Sequence, residues 1–253
     1  MRINYLHIRI ILITASLMFY SVNCNAADKK AIDDIEESDP VSEMEEFEIG
    51  ITSPNWWERI RAARSMADKE GIDKNKVATL IIDQLEKEIN SPTSVKRGPG
   101  PAYKDISDRM KRQYFLGLAD FGQDIKNHLS DEMNLSSGEL KKYLILTLGF
   151  LKDENVHDDI RELLANHPDV YIRATAAIAL RYYWDVNDIL LFKEALNDTA
   201  WIRNPSDVIF EGKPEFIYPV RREVKVTLRN MGYKVTSDSN SDYTAKKLNE
   251  EVE

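Results

Sequence analysis

The stretch "YIRATAAIALRYY", from Tyr171 to Tyr183, sets one arginine, Arg173, at the start of a run of alanine and branched apolar residues. In the nine residues that begin at Ile172, apolar side chains stand at positions 1, 5, 8 and 9, which lie on one face of an α-helix. The small residues on that face let a neighbouring helix approach closely. The stretch therefore predicts a packed helix with a single basic residue near its start.

The same nine-residue pattern recurs four times elsewhere in the chain. The copies are "ERIRAARSM" from Glu58, "MKRQYFLGL" from Met110, "LKKYLILTL" from Leu140 and "VRREVKVTL" from Val220. The second position is basic in every copy, and the five basic residues are Arg59, Lys111, Lys141, Arg173 and Arg221. Because recurring polar-tipped residues usually serve repeat packing, we predict that these five side chains bond between repeats rather than bind a ligand.

The distances between the five basic residues indicate a repeat of about thirty residues, the size of a helix pair. The spacings are 52, 30, 32 and 48 residues, and the two long ones contain the Pro- and Gly-bearing segments 90–104 and 199–218. A second amphipathic helix is predicted after each of the first four copies, over 76–89, 123–133, 155–165 and 186–196. The sequence thus predicts an all-α chain of about five helix pairs with one long apolar insertion.

Two segments, "HPDVYIRATAAIAL" from His167 and "YPVRREVKVTL" from Tyr218, carry a family resemblance. They resemble the HEAT-like repeats, the family that includes the phycobilisome-lyase type, and the resemblance covers residues 53–235. It implies an α-α superhelix, a solenoid in which acidic residues six before each basic position form a ladder between repeats. Only Asp105 and Glu215 are acidic at those positions here, so the expected ladder is incomplete.

The first residues are typical of a secretory signal peptide. Arg2 and Arg9 precede an apolar run over residues 10–22, and Cys24 and Ala26 fit the small −3 and −1 positions of a cleavage site. An apolar run of about 13 residues is shorter than the ~20 that a membrane-spanning helix needs. We therefore predict a signal peptide over residues 1–26, cleavage near Ala26, and a periplasmic or secreted protein with no membrane span in its mature chain.

Lipidation is the alternative to this processing. Cys24 is the one cysteine of the chain, and a lipoprotein would be anchored through it. Ser21, three residues before Cys24, is a poor match to the aliphatic residue that such a site requires.

The charge of the chain is unevenly distributed. The formal net charge is −9, residues 28–48 hold ten acidic and two basic residues, and residues 50–235 hold 28 of each sign. A neutral central region argues against nucleic acid as a partner, because binding to phosphates requires a basic surface. We predict an acidic disordered linker over 27–52, a repeat domain over 53–235 and an acidic flexible tail over 236–253.

The sequence carries no recognisable catalytic or metal-binding motif. It has no phosphate loop and no nucleophile elbow. His157 and His167 are ten residues apart, unlike the i, i+4 pair of a helical zinc site, and "HDD" at His157 is interpreted as a solvated helix face. We therefore expect no catalytic residue, no metal ligand, no cofactor and no enzymatic activity.

The insertion from Thr199 to Tyr218 is rich in apolar and aromatic residues, which favours a short hairpin over disorder. Two interpretations stay open: a cover over the last helix pairs, or a contact for a partner. The candidate partner contacts are Trp201, Phe210, Phe216 and Tyr218 of the insertion, with Tyr183 and Trp184 of "RYYWD". The resemblance implies a protein-binding scaffold or adaptor, since stacked repeats produce extended surfaces. The alternative is an enzyme, or an enzyme subunit, with a site between the insertion and the helices.

Overall fold

The computed structural model describes residues 40–96, 103–203, 216–237 and 243–247. Contacts divide the chain into residues 1–43, described only from Pro40, and residues 44–253. The predicted signal peptide, residues 27–39 of the predicted linker, and Phe210 lie outside the described residues.

The described residues are mostly helical, as the sequence predicts. The helices are α1 (Pro40–Thr52), α2 (Trp56–Ala63), α3 (Lys74–Asn90), α4 (Ser107–Asp120), α5 (Lys126–Leu135), α6 (Gly138–Leu151), α7 (His157–Asn166), α8 (Val170–Tyr183), α9 (Ile189–Ala195) and α10 (Pro219–Asn230). The strands are β1 (Ser94–Lys96), β2 (Tyr103–Asp105), β3 (Ile202–Arg203), β4 (Phe216–Ile217), β5 (Tyr233–Ser237) and β6 (Tyr243–Lys247). None of the described helices is long and apolar enough to span a membrane.

Helix α8 forms for the reasons that its sequence gives. The Asp169 side chain accepts a hydrogen bond from Tyr171 N and so caps the N-terminus. Ile172, Ala176 and Leu180, spaced by four residues, are buried. The helix is followed by Trp184, whose positive φ of 58° turns the chain away from the helix axis.

The helices alternate between two sets along the chain. The five that carry the nine-residue pattern are α2, α4, α6, α8 and α10, here called the pattern helices, and each packs against the next. The intervening helices pack on the pattern helices, α3 on α4, α5 on α6, α7 on α8 and α9 on α10. Each pattern helix therefore lies beside the next one, so side chains at corresponding positions of the nine-residue pattern lie on neighbouring helices.

Small residues bring two pattern helices into backbone contact. Gly149 of α6 lies so close to α8 that an added Cβ would stand 2.6 Å from the Ala179 Cβ and 2.7 Å from its Cα. Gly117 of α4 lies equally tightly against the backbone of Ala63 in α2. The close approach expected from small residues is thus present, although two of the residues that permit it are glycines rather than alanines.

The prediction of a disordered linker up to residue 52 is wrong from Pro40 onward, since residues 40–52 form α1. Phe47 and Ile51, one helical turn apart, are both buried. Glu48 forms an ion pair with Lys76 of α3 at 2.7 Å. The acidic composition suggested a solvated segment, but two apolar side chains on one helical face are enough to attach it to the core.

Strands are more frequent than the sequence analysis predicts. The ends of the long insertion pair as β3 and β4, with Ile202 opposite Ile217, in agreement with the expected hairpin. The predicted flexible tail is wrong where β5 and β6 pair over residues 233–237 and 243–247. Tyr233 and Ala245 are buried, and β5 packs on α10. Alternating side chains cover the last pattern helix, and this burial orders the tail despite its charge.

Candidate functional site

Arg173 is held at the start of α8 by two kinds of acceptor. Its Nη1 donates to the carbonyls of His167 at 2.6 Å and Pro168 at 3.1 Å, in the turn before α8. Its Nε and Nη2 donate to the two carboxylate oxygens of Asp198, at 2.7 and 3.1 Å. Asp198 lies just after α9, so this bidentate pair joins the start of α8 to the segment between α9 and α10.

Arg59 repeats this arrangement at the first pattern helix. Its Nη1 donates to the carbonyls of Ser53 at 2.8 Å and Pro54 at 3.3 Å, the same positions relative to the arginine as His167 and Pro168. Its Nη2 lies 3.9 Å from a carboxylate oxygen of Glu88 at the end of α3. The match between the first and fourth pattern helices indicates a shared repeat turn.

An acid–base ladder connects the repeats, but in the direction opposite to the predicted one. The pairs are Arg59–Glu88, Lys111–Glu139 at 2.9 Å and Arg173–Asp198. In each pair the acidic residue follows the basic one by 25 to 29 residues: Glu88 lies at the end of α3, Glu139 in the first turn of α6, and Asp198 just after α9. A search six residues before each basic position therefore missed these carboxylates, and a search one repeat ahead would have found them.

The other two basic positions differ. Among the described residues the Lys141 ammonium makes no ion pair. Arg221 donates from Nε to the Asp198 carbonyl, and its guanidinium lies over the rings of Tyr218, at 4.5 Å, and Tyr243, at 5.6 Å. Arg221 thus packs between aromatic side chains, where cation–π attraction replaces an ion pair.

Three predicted partner contacts lie together at the ends of the insertion. Trp201 and Phe216 meet edge to face with ring centroids 4.5 Å apart. Trp201 is 54% exposed, Phe216 41% and Tyr218 39%. We call Trp201, Phe216 and Tyr218 the terminal aromatic surface. Large aromatic side chains left this accessible are typical of contact surfaces rather than of a cover.

The described chain segments that begin at Phe216 are basic. Residues 216–237 and 243–247 contain seven basic residues and one acidic residue, Glu223, in a chain whose net charge is −9. Lys234 and Lys246 are direct neighbours across β5 and β6, and both are exposed. Like charges opposite each other are unfavourable within the protein and are relieved by an anionic partner.

Tyr183, a predicted partner contact, is partly buried and makes two contacts within the protein. Its ring stacks on His157 with centroids 4.3 Å apart, and its hydroxyl donates to the Asp153 carbonyl at 2.7 Å. The next residue, Trp184, is half exposed. Of the two predicted contacts in "RYYWD", Trp184 is therefore the more exposed.

A second group of accessible aromatic residues escaped the sequence analysis. Phe115, Phe150 and Tyr182 come from α4, α6 and α8, and neighbouring rings meet edge to face at 6.0 and 5.6 Å. Phe150 and Tyr182 are exposed. Because the three residues lie on three separate pattern helices, no single segment of sequence contains the row.

Two clefts lie near the insertion. The smaller, of about 190 Å³, lies beneath β3 and β4 and is lined by Ile202 and Ile217. The larger, of about 590 Å³, is polar and is lined by Arg173, Asp198 and Glu194. Because Arg173 and Asp198 bind each other, the larger cleft presents no converging acid and base from this pair.

A buried polar cluster joins α7 to the turn before α9. His157 Nε2 lies 2.9 Å from Asp188 Oδ2, and Arg161 Nε lies 3.1 Å from Asp188 Oδ1. Asp188 is completely buried and His157 nearly so, which shows that the interpretation of His157 as part of a solvated face is wrong. His157, Asp185 and Asp188 each offer an N or O atom within 4.8 Å of the others.

Burial shifts the pKa of two groups at this cluster, Asp188 and the neighbouring Tyr183. It raises the pKa of the Asp188 carboxyl, while the hydrogen bond with His157 and the charge of Arg161 oppose that rise. Burial also raises the pKa of the Tyr183 hydroxyl, and the carboxylates of Asp153, Glu154 and Asp188 act in the same direction. The cluster therefore concentrates negative charge in a poorly hydrated place.

Comparison with known protein families finds no family model that matches the chain, and comparison with curated proteins finds no match. The function therefore has to be argued from the residues themselves.

Proposed function

We propose that this chain is an exported HEAT-like α-solenoid that acts as a protein-binding scaffold, and that its partner docks on the terminal aromatic surface. The repeat pattern of the sequence supports the scaffold, and one observation supports the docking surface: Trp201 and Phe216 meet edge to face while both stay exposed, and the nearby Tyr218 is exposed too. Aromatic residues and arginine are enriched where proteins bind one another.

The repeat order supports the scaffold part of the proposal. Successive pattern helices pack in chain order, and Arg59, Lys111 and Arg173 each bind a carboxylate that lies beyond their own helix in the chain. Such stacking generates extended surfaces without requiring a catalytic centre.

The charge of the last helix pair indicates the chemistry of the partner. The described segments 216–237 and 243–247 hold seven basic residues and one acidic residue, and Arg221 lies over the Tyr218 ring, so an acidic protein surface with apolar side chains complements this region best. The pairing is expected to be sensitive to salt, because rim charges act mainly on the association rate.

The test is site-directed photocrosslinking in the native cell envelope. A photoreactive residue at position 201 or 216 is expected to crosslink one protein in stoichiometric amount, whereas a residue at position 57 or 150 is not. Trp57 and Phe150 are matched aromatic positions, both exposed and both outside the insertion. Crosslinks confined to position 150 would move the binding surface to the pattern helices and overturn the assignment.

A matched pair of variants measures how much Trp201 contributes to the free energy of partner binding. Trp201→Ala is expected to weaken partner binding by at least tenfold, since an aromatic residue central to an interface contributes about 2 kcal/mol or more. Trp57→Ala removes a tryptophan of similar exposure and is expected to leave affinity unchanged. Equal affinities of the two variants would exclude Trp201 from the interface.

Export is tested separately by the N-terminus of the protein recovered from cells. Cleavage near Ala26 gives a chain that starts at Ala27, whereas the alternative anchor leaves a lipid-modified Cys24 at the N-terminus. Mass spectrometry distinguishes the two, and an intact residue 1 would refute both.

A further inference from the structure

The smaller cleft, beneath β3 and β4, has an aliphatic lining. Ile202 and Ile217 pair across the hairpin, are half-buried and line the cleft. Ile178 of α8 lines it from the helix side. Successive side chains of a strand point to opposite faces, so the exposed Phe216 of the terminal aromatic surface and Ile217 of the cleft lie on opposite faces of β4.

An alanine in α8 leaves the space that this cleft occupies. The third position of the nine-residue pattern is Lys142 in α6, Ala174 in α8 and Arg222 in α10, and all three residues line the cleft. Helix α8 packs against both α6 and α10. A short side chain on the middle helix is thus flanked by long cationic side chains on the two neighbouring helices.

The two cations of the cleft have few partners within the protein. The Lys142 ammonium lies 5.5 Å from the centre of the Tyr171 ring and makes no ion pair among the described residues. Arg222 donates from Nε to Glu223 at 2.9 Å, and its side chain is 64% exposed. Glu223, the one carboxylate in the lining, is also bound by Arg181. Three cations therefore surround one carboxylate, and the cleft attracts an anion.

The size of the cleft limits what enters it. Its volume is about 190 Å³, whereas pockets for drug-sized molecules measure about 300–1,000 Å³. The space suits a single apolar side chain, which would remove aliphatic surface of the lining from water. An anionic group of the same ligand must then lie close to that side chain, because both cations line the same small space.

We propose that this cleft binds the C-terminal residue of an extended segment of the partner protein, with an apolar side chain inside and the terminal carboxylate between Lys142 and Arg222. A terminal carboxylate is attached to the same Cα atom as the last side chain. An acidic side chain next to the inserted residue would instead point to the opposite side of an extended chain, away from the cleft. Recognition of a free C-terminal carboxylate is a recurring way in which proteins bind peptides. The inference rests on the proposed protein-binding function and specifies which part of the partner is bound.

The test is fluorescence anisotropy with glycine-rich hexapeptides that carry a fluorophore at the N-terminus and end in alanine, valine, leucine or phenylalanine. Each peptide is made as the free acid and as the C-terminal amide. At least one free acid is expected to bind saturably, and its amide to bind at least about tenfold more weakly, because the amide loses the charge-assisted hydrogen bonds. Absence of saturable binding by all four free acids, or equal affinity of acid and amide, would overturn the proposal.

Two variants locate the bound peptide. Ala174→Leu is expected to weaken binding of the free acid by at least about tenfold, because the added side chain fills the cleft. Arg222→Ala is expected to weaken binding of the free acid to a similar degree but to leave the weak binding of the amide unchanged. A loss that is equal for acid and amide would contradict contact between Arg222 and the carboxylate. The melting temperature of each variant verifies its fold.

Arg112→Ala is the matched control for Arg222→Ala. Arg112 is the exposed cation at the third pattern position of α4, and it does not line the cleft. This variant is expected to bind the free acid like the parent. If it loses as much affinity as Arg222→Ala does, the peptides respond to general basic charge and the cleft is not their site.

Failure of this inference differs from failure of the proposed function. If no free acid binds while position 201 still crosslinks its partner, the cleft is excluded and the terminal aromatic surface stands. If the free acids bind with the expected variant effects while positions 201 and 216 crosslink nothing, the cleft is supported and the terminal aromatic surface is excluded.

Discussion

The contacts that α6 and α10 make with α8 differ, although the same repeat position is involved in each. Eight residues after the basic position, α6 carries Gly149 and α8 carries Arg181. Gly149 lets α6 touch the α8 backbone at Ala179. Arg181 instead reaches α10, donating to Thr227 Oγ1 at 3.1 Å and to Glu223 Oε2 at 3.1 Å. The α6–α8 contact is close because Gly149 has no side chain, and we call it the dry seam. The α8–α10 contact is bridged by the long side chain of Arg181, and we call it the polar seam.

This difference shows that the repeat pattern determines which helices pack against each other, but not which kind of side chain makes the contact. The apolar positions are shared, whereas the residue that faces the next pattern helix varies from glycine to arginine. A dry seam depends on shape and should tolerate no added volume. A polar seam depends on pairing and should tolerate changes that keep its partners satisfied.

The largest expected effect comes from adding volume to the dry seam. Gly149→Val is expected to destabilise the protein by about 3 kcal/mol, because its Cβ would overlap the Ala179 backbone and neither helix can move alone. Chemical denaturation measures the change.

Gly50→Ala is the matched control for that variant. Its new Cβ would lie 3.1 Å from the Ala62 methyl rather than against backbone, so a change within about 1 kcal/mol is expected. Similar denaturation midpoints for Gly149→Val and the parent would show that α6 and α8 can move apart enough to accommodate the added side chain.

The next largest loss of stability is expected when the ion pair between Arg173 and Asp198, at the start of α8, is removed. Arg173→Ala is expected to cost about 3 kcal/mol, since it leaves the mostly buried Asp198 carboxylate without its bidentate partner. Partner binding should be unaffected. Thermal and chemical unfolding check the first expectation, and crosslinking at position 201 checks the second.

Arg222 provides the control for Arg173. It also pairs with a carboxylate, Glu223 at 2.9 Å, but its side chain is 64% exposed. Arg222→Ala is therefore expected to change stability by less than about 0.5 kcal/mol. If Arg173→Ala lowers the free energy of unfolding no more than Arg222→Ala does, the packing role of Arg173 is refuted.

A smaller effect is expected when the polar bridge is replaced by an apolar one. Arg181→Met keeps the length of the side chain, and Glu223 retains its contact with Arg222. The expected cost is about 1 kcal/mol, mostly from the lost bonds to Thr227 and the Glu223 carbonyl. If Arg181→Met lowers stability as much as Gly149→Val does, the polar seam is as intolerant of substitution as the dry seam, and the proposed difference between them is wrong.

The smallest expected effect at neutral pH, and one with a pH signature, belongs to Tyr183. Tyr183→Phe loses one hydrogen bond and about 1 kcal/mol or less. Because burial raises the pKa of Tyr183 in the folded state, the unfolded chain releases the phenolic proton first as the pH rises above about 10. The folded state then binds more protons than the unfolded state, so stability falls with rising pH. The fall should be shallower in Tyr183→Phe, and unfolding free energies at several alkaline pH values test this.

The sequence predicts the pattern helices well because their apolar residues follow the helical period. Asp73 caps α3 and Gly232 follows α10 with a positive φ, as local capping preferences indicate. The candidate contacts Trp201, Phe216 and Tyr218 were also identifiable, because aromatic residues in a long insertion are conspicuous.

Other features depend on neighbours that are distant in the chain. Asp198 could not be assigned to Arg173 by a search within one turn, since the pair spans a complete helix pair. His157 reads as exposed beside Asp158 and Asp159, and its burial results from stacking on Tyr183, 26 residues away. Helix α1 and strand β6 were missed because charge dominates their composition, whereas a few apolar side chains decide their packing.

Asp198 has a mechanical consequence for the insertion that follows it. Its carboxylate holds Arg173 of α8 and accepts from Ala200 N, while its carbonyl holds Arg221 of α10. The residue is thus an anchor point at which two pattern helices and the root of the insertion are tied together. A force applied at Trp201 is therefore transmitted to α8 and α10 through the hydrogen bonds of Asp198.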